Sequence, residues 1–334
     1  MKIESFPRKL FLFRNNLCMF AQTQNELHNM KHMSILAVSL LALVACTPEK
    51  KQEADYSQYV NPMIGTDFTG NTYPGAQVPF GMVQLSPDNG LPGWDRISGY
   101  FYPDTTIAGF SHTHLSGTGA GDLYDISFMP VTRPYKEAPA PLGIYSTFSH
   151  NDEAASAGYY RVLLKDYNIN VELTATERCG IQRYTFPEAE ASVFLNLKKA
   201  MNWDFTLDSK IEVVDSTTIR GYRLSQGWSP LQHVYFETRF SKPFVACHMD
   251  TTSIVTKEKG WIGTAYVARF DFNTKKDEEI LVTTGISGVS MEGAGKNLRA
   301  EAPKDDFDYY QAQASANWNR QLSKIEVKSR NTDD

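Results

Sequence analysis

The chain has 334 residues, of which 42% are hydrophobic and 12% aromatic, and its formal net charge is -5. This length and composition allow a large buried core and exclude a chain that is disordered throughout. The slightly acidic balance, without basic runs interleaved with aromatic residues, argues against nucleic acid as a partner.

The first 45 residues carry the pattern of a targeting region. The run 34–45 is apolar, but it is shorter than the roughly 20 residues that a membrane-spanning helix needs. It therefore predicts a signal peptide over 30–45 that starts at Met30 or Met33. Residues 1–29 are then an over-extended leader.

The cysteines suggest a lipid anchor near the N-terminus and leave open whether the body of the protein contains a disulfide. Cys46 follows Leu-Val-Ala, which resembles a bacterial lipobox, and lipidation there predicts an exported lipoprotein of the periplasm, outer membrane or cell surface. The alternative is an ordinary signal peptide followed by an unrelated cysteine. Residues 46–58 would form a polar tether. In the mature body, Cys179 and Cys247 form either a disulfide or two free thiols, because sequence does not fix their distance.

From residue 159 onward, short runs typical of β-strands alternate with turn residues. In 233–240, Val234 and Phe236 share one parity while Tyr235 and Glu237 share the other, which is the pattern of a half-buried strand. Many such strands with little helix predict an antiparallel β-sandwich. The predicted strands are 159–164, 169–176, 180–186, 191–197, 217–224, 233–240, 265–272 and 279–286.

One amphipathic helix is predicted near the end of the chain. Phe307, Tyr310, Ala314 and Trp318 recur at three- and four-residue steps, and Asp305 or Asp306 provides an N-cap. We expect a linker helix within 301–334. A sandwich that leads into such a helix and then stops suggests a truncated chain, and a complete protein with a frayed tail is the alternative.

The segment 99–125 has the composition of a ligand-facing loop. It combines aromatics, two histidines, three aspartates, hydroxyl residues such as Ser116 and Thr118, and a glycine run at 117–121. Loops on a rigid scaffold are where binding residues concentrate. The glycine run lacks the Lys-Ser/Thr ending of a phosphate-binding loop, and the stretch 123–129 after it reads as a strand rather than a helix.

Trp94, Asp95 and Arg96 lie together in a predicted turn. A tryptophan in a turn either covers the core or forms a platform for the apolar C–H face of a sugar. The adjacent carboxylate and guanidinium would then bind the sugar hydroxyls. The residues alone leave these two interpretations open.

His112 and His114 are separated by one residue, so on a strand they would face the same side, as two metal ligands can. Asp122 or Asp125 could complete the set, but glycines intervene. We therefore favour a hydrogen-bonded pair that orders the loop, and we predict no metal site. No pair of carboxylates is marked as the acid and base of a glycosidase, which stand about 6.5–9.5 Å apart in inverting enzymes.

Four motifs in order across residues 59–130 carry a family resemblance. They are YVNPMIGT, YPGAQVPFGMVQLSPD, GYFYPDTTIAGFSHTHLSGTG and DISFMP. Together they resemble the N-terminal region of bacterial glycoside hydrolase family 92, and the likeness continues more weakly to the predicted helix.

The resemblance implies a mainly β fold: a two-sheet, galactose-mutarotase-like β-supersandwich over 59–300, joined by a helical linker to a catalytic α/α toroid. Family members are calcium-dependent, inverting exo-α-mannosidases that act on mannose-containing glycans, and their catalytic carboxylates and calcium ligands lie in the helical domain. No catalytic residue and no metal ligand are therefore expected in this chain, whereas Trp94 matches a tryptophan near the terminal mannose. The predicted substrate-binding residues are Trp94, Asp95, Arg96, His112, His114, Ser116 and Thr118.

Two other functions remain open from the sequence. A non-catalytic glycan-binding surface lipoprotein would keep the aromatic loops without hydrolysis. Some glycoside phosphorylases and glucoamylases share the layout of a sandwich and a toroid, but the motifs at 61–66 and 111–119 do not match them.

Overall fold

The computed structural model describes residues 54–198, 202–256, 261–327 and 329. The predicted leader, the signal peptide, Cys46 and most of the tether lie outside the described residues. Within the described ranges, no helix has the length and apolar character needed to cross a membrane.

Two antiparallel sheets dominate the described residues. Six strands form one sheet in the order β1-β3-β4-β12-β17-β16, and eight form the other in the order β13-β14-β15-β18-β11-β10-β9-β8. Two small ribbons, β2-β7 and β5-β6, complete the pairing. The strands are β1 Ser86–Asp88, β2 Thr106–Ile107, β3 Gly109–Ser111, β4 Ser127–Thr132, β5 Glu137–Ala138, β6 Gly143–Ile144, β7 Ser146–Thr147, β8 Glu153–Ser156, β9 Tyr159–Leu164, β10 Ile169–Ala175, β11 Cys179–Phe186, β12 Ala189–Asn196, β13 Phe205–Val213, β14 Thr218–Gln226, β15 Gln232–Phe240, β16 Ala246–Thr256, β17 Trp261–Thr274 and β18 Glu278–Ser287.

The core lies between the facing sides of the two sheets. In β15, Val234, Phe236 and Phe240 are buried whereas Tyr235 is half-buried, as the alternation predicts. Phe240 packs against Phe270 of the opposite sheet with ring centroids 5.2 Å apart. The predicted mainly β, two-sheet antiparallel architecture is therefore confirmed.

Two helices, α1 (Met291–Glu301) and α2 (Phe307–Leu322), follow the last strand. The predicted helix is α2, and Asp306 caps it by accepting a 3.0 Å hydrogen bond from the backbone N–H of Tyr309. Both helices pack on the outer face of the eight-stranded sheet through a second apolar cluster. Its buried members are Cys179, Ile181, Leu281, Leu298, Ala302, Phe307 and Tyr310.

Helix α1 was not predicted, and its sequence contains two glycines, Gly293 and Gly295, which have low helix propensity. Ser290 caps it by accepting a 3.0 Å hydrogen bond from the N–H of Gly293. A Cβ at Gly295 would lie 2.5 Å from Oε2 of Glu237. Because that oxygen ends a flexible side chain, the close approach of helix and sheet is shown better at Gly285 of β18. A Cβ there would lie 2.6 Å from the carbonyl oxygen of Ala294 and 2.9 Å from the backbone nitrogen of Leu298.

Helix α2 also binds the start of the described chain. The indole Nε1 of Trp318 donates a 2.6 Å hydrogen bond to the carbonyl of Gln77. The backbone N–H of Tyr56 donates a 2.7 Å hydrogen bond to Oδ1 of Asn319. The C-terminal helix and the N-terminal loops are thus joined through polar contacts.

The two cysteines of the body are free thiols, which decides between the two alternatives. Cys179 is buried beneath the helices, and burial raises the pKa of its thiol to about 12. A thiol with so high a pKa is poorly reactive.

Candidate functional site

Trp94 lies on a short 3-10 turn, Trp94–Arg96, whose two ends are held by one side chain. The N–H of Gly93 donates a 2.9 Å hydrogen bond to Oδ1 of Asn202. The amide nitrogen of Asn202 in turn donates to the carbonyl of Arg96 at 3.3 Å. Trp203 follows directly, and its ring centroid lies 6.4 Å from that of Trp94. Since Trp94 is 58% exposed and Trp203 is 40% exposed, the pair presents two indoles to solvent.

The glycine-rich loop passes directly beneath these indoles. A Cβ at Gly119 would lie 3.2 Å from Cη2 of Trp94. A Cβ at Gly121 would lie 2.7 Å from Cβ of Asn202 and 3.2 Å from the indole of Trp203. The glycines therefore allow a close approach that larger residues would prevent, which is their role here rather than phosphate binding.

The hydroxyl residues of the loop differ in exposure. Ser116 is exposed and Thr118 is half-buried, and the Thr118 hydroxyl accepts a 3.0 Å hydrogen bond from the N–H of Ala120. We call the two indoles, Trp94 and Trp203, together with the loop residues Ser116, Thr118 and Gly119, the Trp94 surface.

The two charged neighbours of Trp94 are half-buried. Arg96 donates through Nε to Asp104 at 2.6 Å, and its guanidinium lies 4.7 Å from the ring centroid of Phe101. Arg96 thus stabilises the loop, and 23% of its side chain remains exposed. The substrate-binding roles of Asp95 and Arg96 stay predictions.

His112 lies in the core, with no exposed area. Its Nδ1 donates a 2.7 Å hydrogen bond to the carbonyl of Ile126, and its ring packs edge-on against Phe128. Burial lowers the pKa of His112 to about 4, although the hydrogen bond to Ile126 opposes the shift. The imidazole is therefore neutral at pH 7.

His114 is also buried, and it connects three segments. Its Nδ1 donates to the carbonyl of Gln84 at 2.7 Å, while Nε2 lies 2.9 Å from Oδ1 of Asp88 and 3.1 Å from the hydroxyl of Ser111. These contacts are those of a residue that orders the loop. A direct contact of either histidine with substrate would require the loop to open, and that role stays a prediction.

The stretch after the glycine run is a strained loop, so the predicted strand from residue 123 is wrong and β4 begins at Ser127. Leu123, Tyr124 and Ile126 all have positive φ, which L-residues rarely adopt. A buried ion cluster holds this backbone. Its members are Arg223, Asp125 and Asp204.

Within this cluster, Arg223 donates through Nη1 to Asp125 at 2.6 Å and to Asp204 at 3.2 Å. Asp204 accepts a further hydrogen bond from the N–H of Leu123 at 3.0 Å. Burial raises the pKa of Asp204 to about 6, against the opposing effect of Arg223. Asp125 also accepts from Thr113 at 2.7 Å, so the cluster joins both ends of the loop.

Asp122 fixes the turn that presents a third exposed indole. Its Oδ2 accepts hydrogen bonds from the backbone N–H groups of Trp228 at 2.7 Å and Ser229 at 3.3 Å. The side chain of Trp228 is 78% exposed. Sequence reasoning missed Asn202, Trp203 and Trp228. Asn202-Trp203-Asp204 shares with Gly93-Trp94-Asp95 a tryptophan between turn-forming residues, and this pattern could have indicated the first two.

In the portions of the chain that the structure describes, no group of three or more His, Cys, Asp or Glu side chains could hold a metal ion.

Family models match almost all of the body. The model of the glycosyl hydrolase family 92 N-terminal domain matches residues 59–287, and that of the family 92 catalytic domain matches residues 293–334. The second match starts within α1, so both helices fall on the catalytic-domain side of the boundary.

Solved structures of family 92 mannosidases and a curated glycosidase are also similar to this chain. The family GH92 alpha-mannosidase BT3965 from Bacteroides thetaiotaomicron, in complex with mannoimidazole, is 36% identical with a TM-score of 0.75, covering 83% of this chain and 38% of that one. The inverting mannosidase BT2199 from the same organism is 26% identical with a TM-score of 0.68, covering 84% and 38%. An uncharacterized secreted glycosidase of Arthroderma benhamiae is 23% identical, covering 90% and 42%. This chain thus spans between 38% and 42% of the length of these relatives, and it belongs to glycoside hydrolase family 92.

Proposed function

We propose that this chain supplies one wall of the mannose-binding pocket of an exo-acting, inverting α-mannosidase. The observation that carries the proposal is the pair of exposed indoles, Trp94 and Trp203, held above a glycine-rich loop in a family 92 N-terminal domain. Aromatic faces pack against the apolar C–H face of a pyranose, and hydroxyl groups such as that of Ser116 can bind its rim.

Three acids near this surface are engaged within the fold, whereas Asp95, which follows Trp94, is half-buried and keeps its predicted role in substrate binding. Asp122, Asp125 and Asp204 each accept hydrogen bonds from neighbouring segments and are almost fully buried. An inverting glycosidase needs one carboxyl group at the leaving oxygen and another at a water on the opposite face of the sugar. Asp95 alone does not provide such a pair, so we assign both proton transfers, and the calcium site, to the catalytic domain of the whole enzyme.

The experiment measures sugar binding and hydrolysis separately. Calorimetry with α-mannobiose should show binding at millimolar sugar, and Trp94→Ala should weaken it at least about tenfold, which corresponds to ~1.4 kcal/mol. Tyr309→Ala is the matched control, because Tyr309 is an aromatic residue that is 42% exposed on α2. Equal affinities of wild type and Trp94→Ala would contradict the proposal.

A hydrolysis assay tests whether the catalytic acid and base lie in this chain or in the catalytic domain. We expect this chain alone to leave an aryl α-mannoside intact in the presence of calcium. The same chain joined to a complete family 92 catalytic domain should cleave it. Turnover by the chain alone would show that the acid and base lie among its own residues.

Binding without hydrolysis would also fit a second candidate, a non-catalytic glycan-binding lipoprotein. The exposure of three tryptophans, Trp94, Trp203 and Trp228, favours glycan binding in either case. Activity of the joined protein decides for the enzyme, and unchanged inactivity with retained binding decides for the lectin-like role.

We also propose export and lipid anchoring at Cys46, supported by the sequence pattern before it and by similarity to a secreted glycosidase. The protein should partition into the detergent phase when expressed in a bacterium. Cys46→Ser should move it to the aqueous phase, and an unchanged distribution would contradict lipidation.

A further inference from the structure

A second cleft lies against the six-stranded sheet, and it shares no lining residue with the Trp94 surface. Its volume is about 440 Å³, and the ribbon β5-β6 covers one side of it. Cavities of this size accommodate small ligands. The cleft is therefore large enough for a sugar unit.

The floor of this cleft is apolar although it lies on the outer face of the sheet. Met129, Phe194 and Val267 come from the adjacent strands β4, β12 and β17, and Phe194 pairs directly with Met129. The neighbouring residues Val193 and Leu195 point into the core with no exposure, so the alternation of a strand directs Phe194 outward. Met129 is only 3% exposed, and Phe194 is half-buried and packs edge-on against Tyr135 at 5.3 Å, so it is the remaining face of Phe194 that lines the cleft.

The rim of the cleft is polar and balanced in charge. Asn196 is the last residue of β12, Lys198 follows two residues later, and Glu137 lies on the covering ribbon. The Lys198 ammonium is 3.4 Å from the hydroxyl of Thr252, which leaves it further donor capacity. One ammonium, one carboxylate and one amide around an aromatic floor match a neutral ligand that carries several hydroxyl groups.

We propose that this cleft is a second carbohydrate-binding site, which takes a neutral hexopyranoside with its C–H face on Phe194 and its hydroxyls toward Asn196, Lys198 and Glu137. An anion would bring its charge close to the Glu137 carboxylate. A purely apolar ligand would lie against the Lys198 ammonium and the Glu137 carboxylate, which is costly where these charged groups are desolvated.

The test uses methyl resonances of the intact protein. Titration with methyl α-mannoside should shift the methyl signals of Met129 and Ile144, which both line the cleft. Lys198→Met and Glu137→Gln should each weaken this response at least about fivefold. Both side chains are exposed, so these variants are expected to fold normally.

Trp94→Ala is the control that separates the two sites. It should reduce binding at the Trp94 surface and leave the response of Met129 and Ile144 unchanged. The proposal is overturned if millimolar mannoside leaves these resonances in place, or if Trp94→Ala abolishes their shifts while Lys198→Met does not. Stronger shifts with mannose 6-phosphate than with the neutral sugar would overturn the assigned ligand class.

Discussion

Arg223 donates a 2.6 Å hydrogen bond to Asp125, and neither side chain has any exposed area. Arg223 comes from β14 of the eight-stranded sheet, whereas Asp125 lies in the loop that leads into β4 of the other sheet. The ion pair therefore joins the two layers beneath the Trp94 surface. Loss of either member leaves the other as a buried charge without its main partner.

Asp125→Ala should lower the free energy of unfolding by roughly 3–5 kcal/mol, the cost of breaking a buried ion pair by removing one partner. Urea unfolding at pH 7 measures the change. Glu190→Ala is the control, because the Arg133–Glu190 pair is 3.8 Å long and the Glu190 side chain is 75% exposed. We expect that control to cost less than about 1 kcal/mol. Similar costs for both variants would contradict the structural role of the buried pair.

The neutral state of His112 predicts a loss of stability in acid. Its folded pKa of about 4 lies below the ordinary value of 6.5, so the unfolded chain binds the proton more readily between these values. The stabilisation is complete above pH 6.5 and is lost as the pH falls toward 4, by about 2 kcal/mol between pH 7 and pH 5. His112→Asn should reduce the pH dependence of the unfolding free energy by about this amount. An unchanged slope would argue against a buried neutral imidazole.

Asp204 should change the unfolding free energy with pH in the opposite direction to His112, within the same range of acidic pH. Its folded pKa of about 6 lies above the ordinary value of 3.8, so its contribution is complete below pH 4 and is lost as the pH rises through 6. The expected loss between pH 5 and pH 7 is about 1 kcal/mol. Asp204→Asn should therefore make the acid destabilisation of the protein steeper, whereas a shallower slope would contradict the direction of the shift.

Asn202→Ala should release the turn that carries Trp94, because both hydrogen bonds at its ends are lost. We expect a cost of about 1–2 kcal/mol, greater quenching of tryptophan fluorescence by acrylamide, and weaker binding of α-mannobiose. Asn319→Ala is the control, since it removes a comparable side-chain hydrogen bond to Tyr56. It should lower stability without changing sugar affinity; equal effects on affinity would count against a positioning role for Asn202.

Gly121→Ala should displace the neighbouring indole. The added methyl would lie 2.7 Å from Cβ of Asn202 and 3.2 Å from the ring of Trp203, and such overpacking typically costs about 1–3 kcal/mol. Sugar affinity should fall severalfold as Trp203 moves. Gly288→Ala is the matched control, because the nearest atom to its Cβ is 4.0 Å away. If both variants bind sugar equally well, the spacing between the loop and Trp203 has no bearing on recognition.

Strands in which apolar and polar residues alternate clearly could be predicted from the sequence. Strands without this alternation, such as β13 and β16, were missed. The run 233–240 matches β15 because its apolar residues fall on one parity. In β16, both faces are exposed from His248 to Ser253, so burial imposes no alternation there. Phe205 at the start of β13 is also exposed, which hides the pattern of that strand.

The sequence predicts the candidate site as a loop, but it does not predict which side chains of that loop are buried and which are exposed. Exposure of Trp94 and Ser116 agrees with a ligand-facing segment. The burial of His112 and His114 depends on contacts with Ile126 and Gln84, which no local pattern reveals. Long-range partners of this kind are fixed only when the sheets are assembled.

The hydrogen bonds from α2 to the N-terminal loops have a consequence for how this fold can be divided. A gene segment ending at residue 287, where the first family model ends, would uncover Ile181 and Leu281 and leave the carbonyl of Gln77 without the indole of Trp318. The sandwich should therefore keep its stability only together with both helices. The folding unit is thus larger than the sequence boundary between the domains indicates.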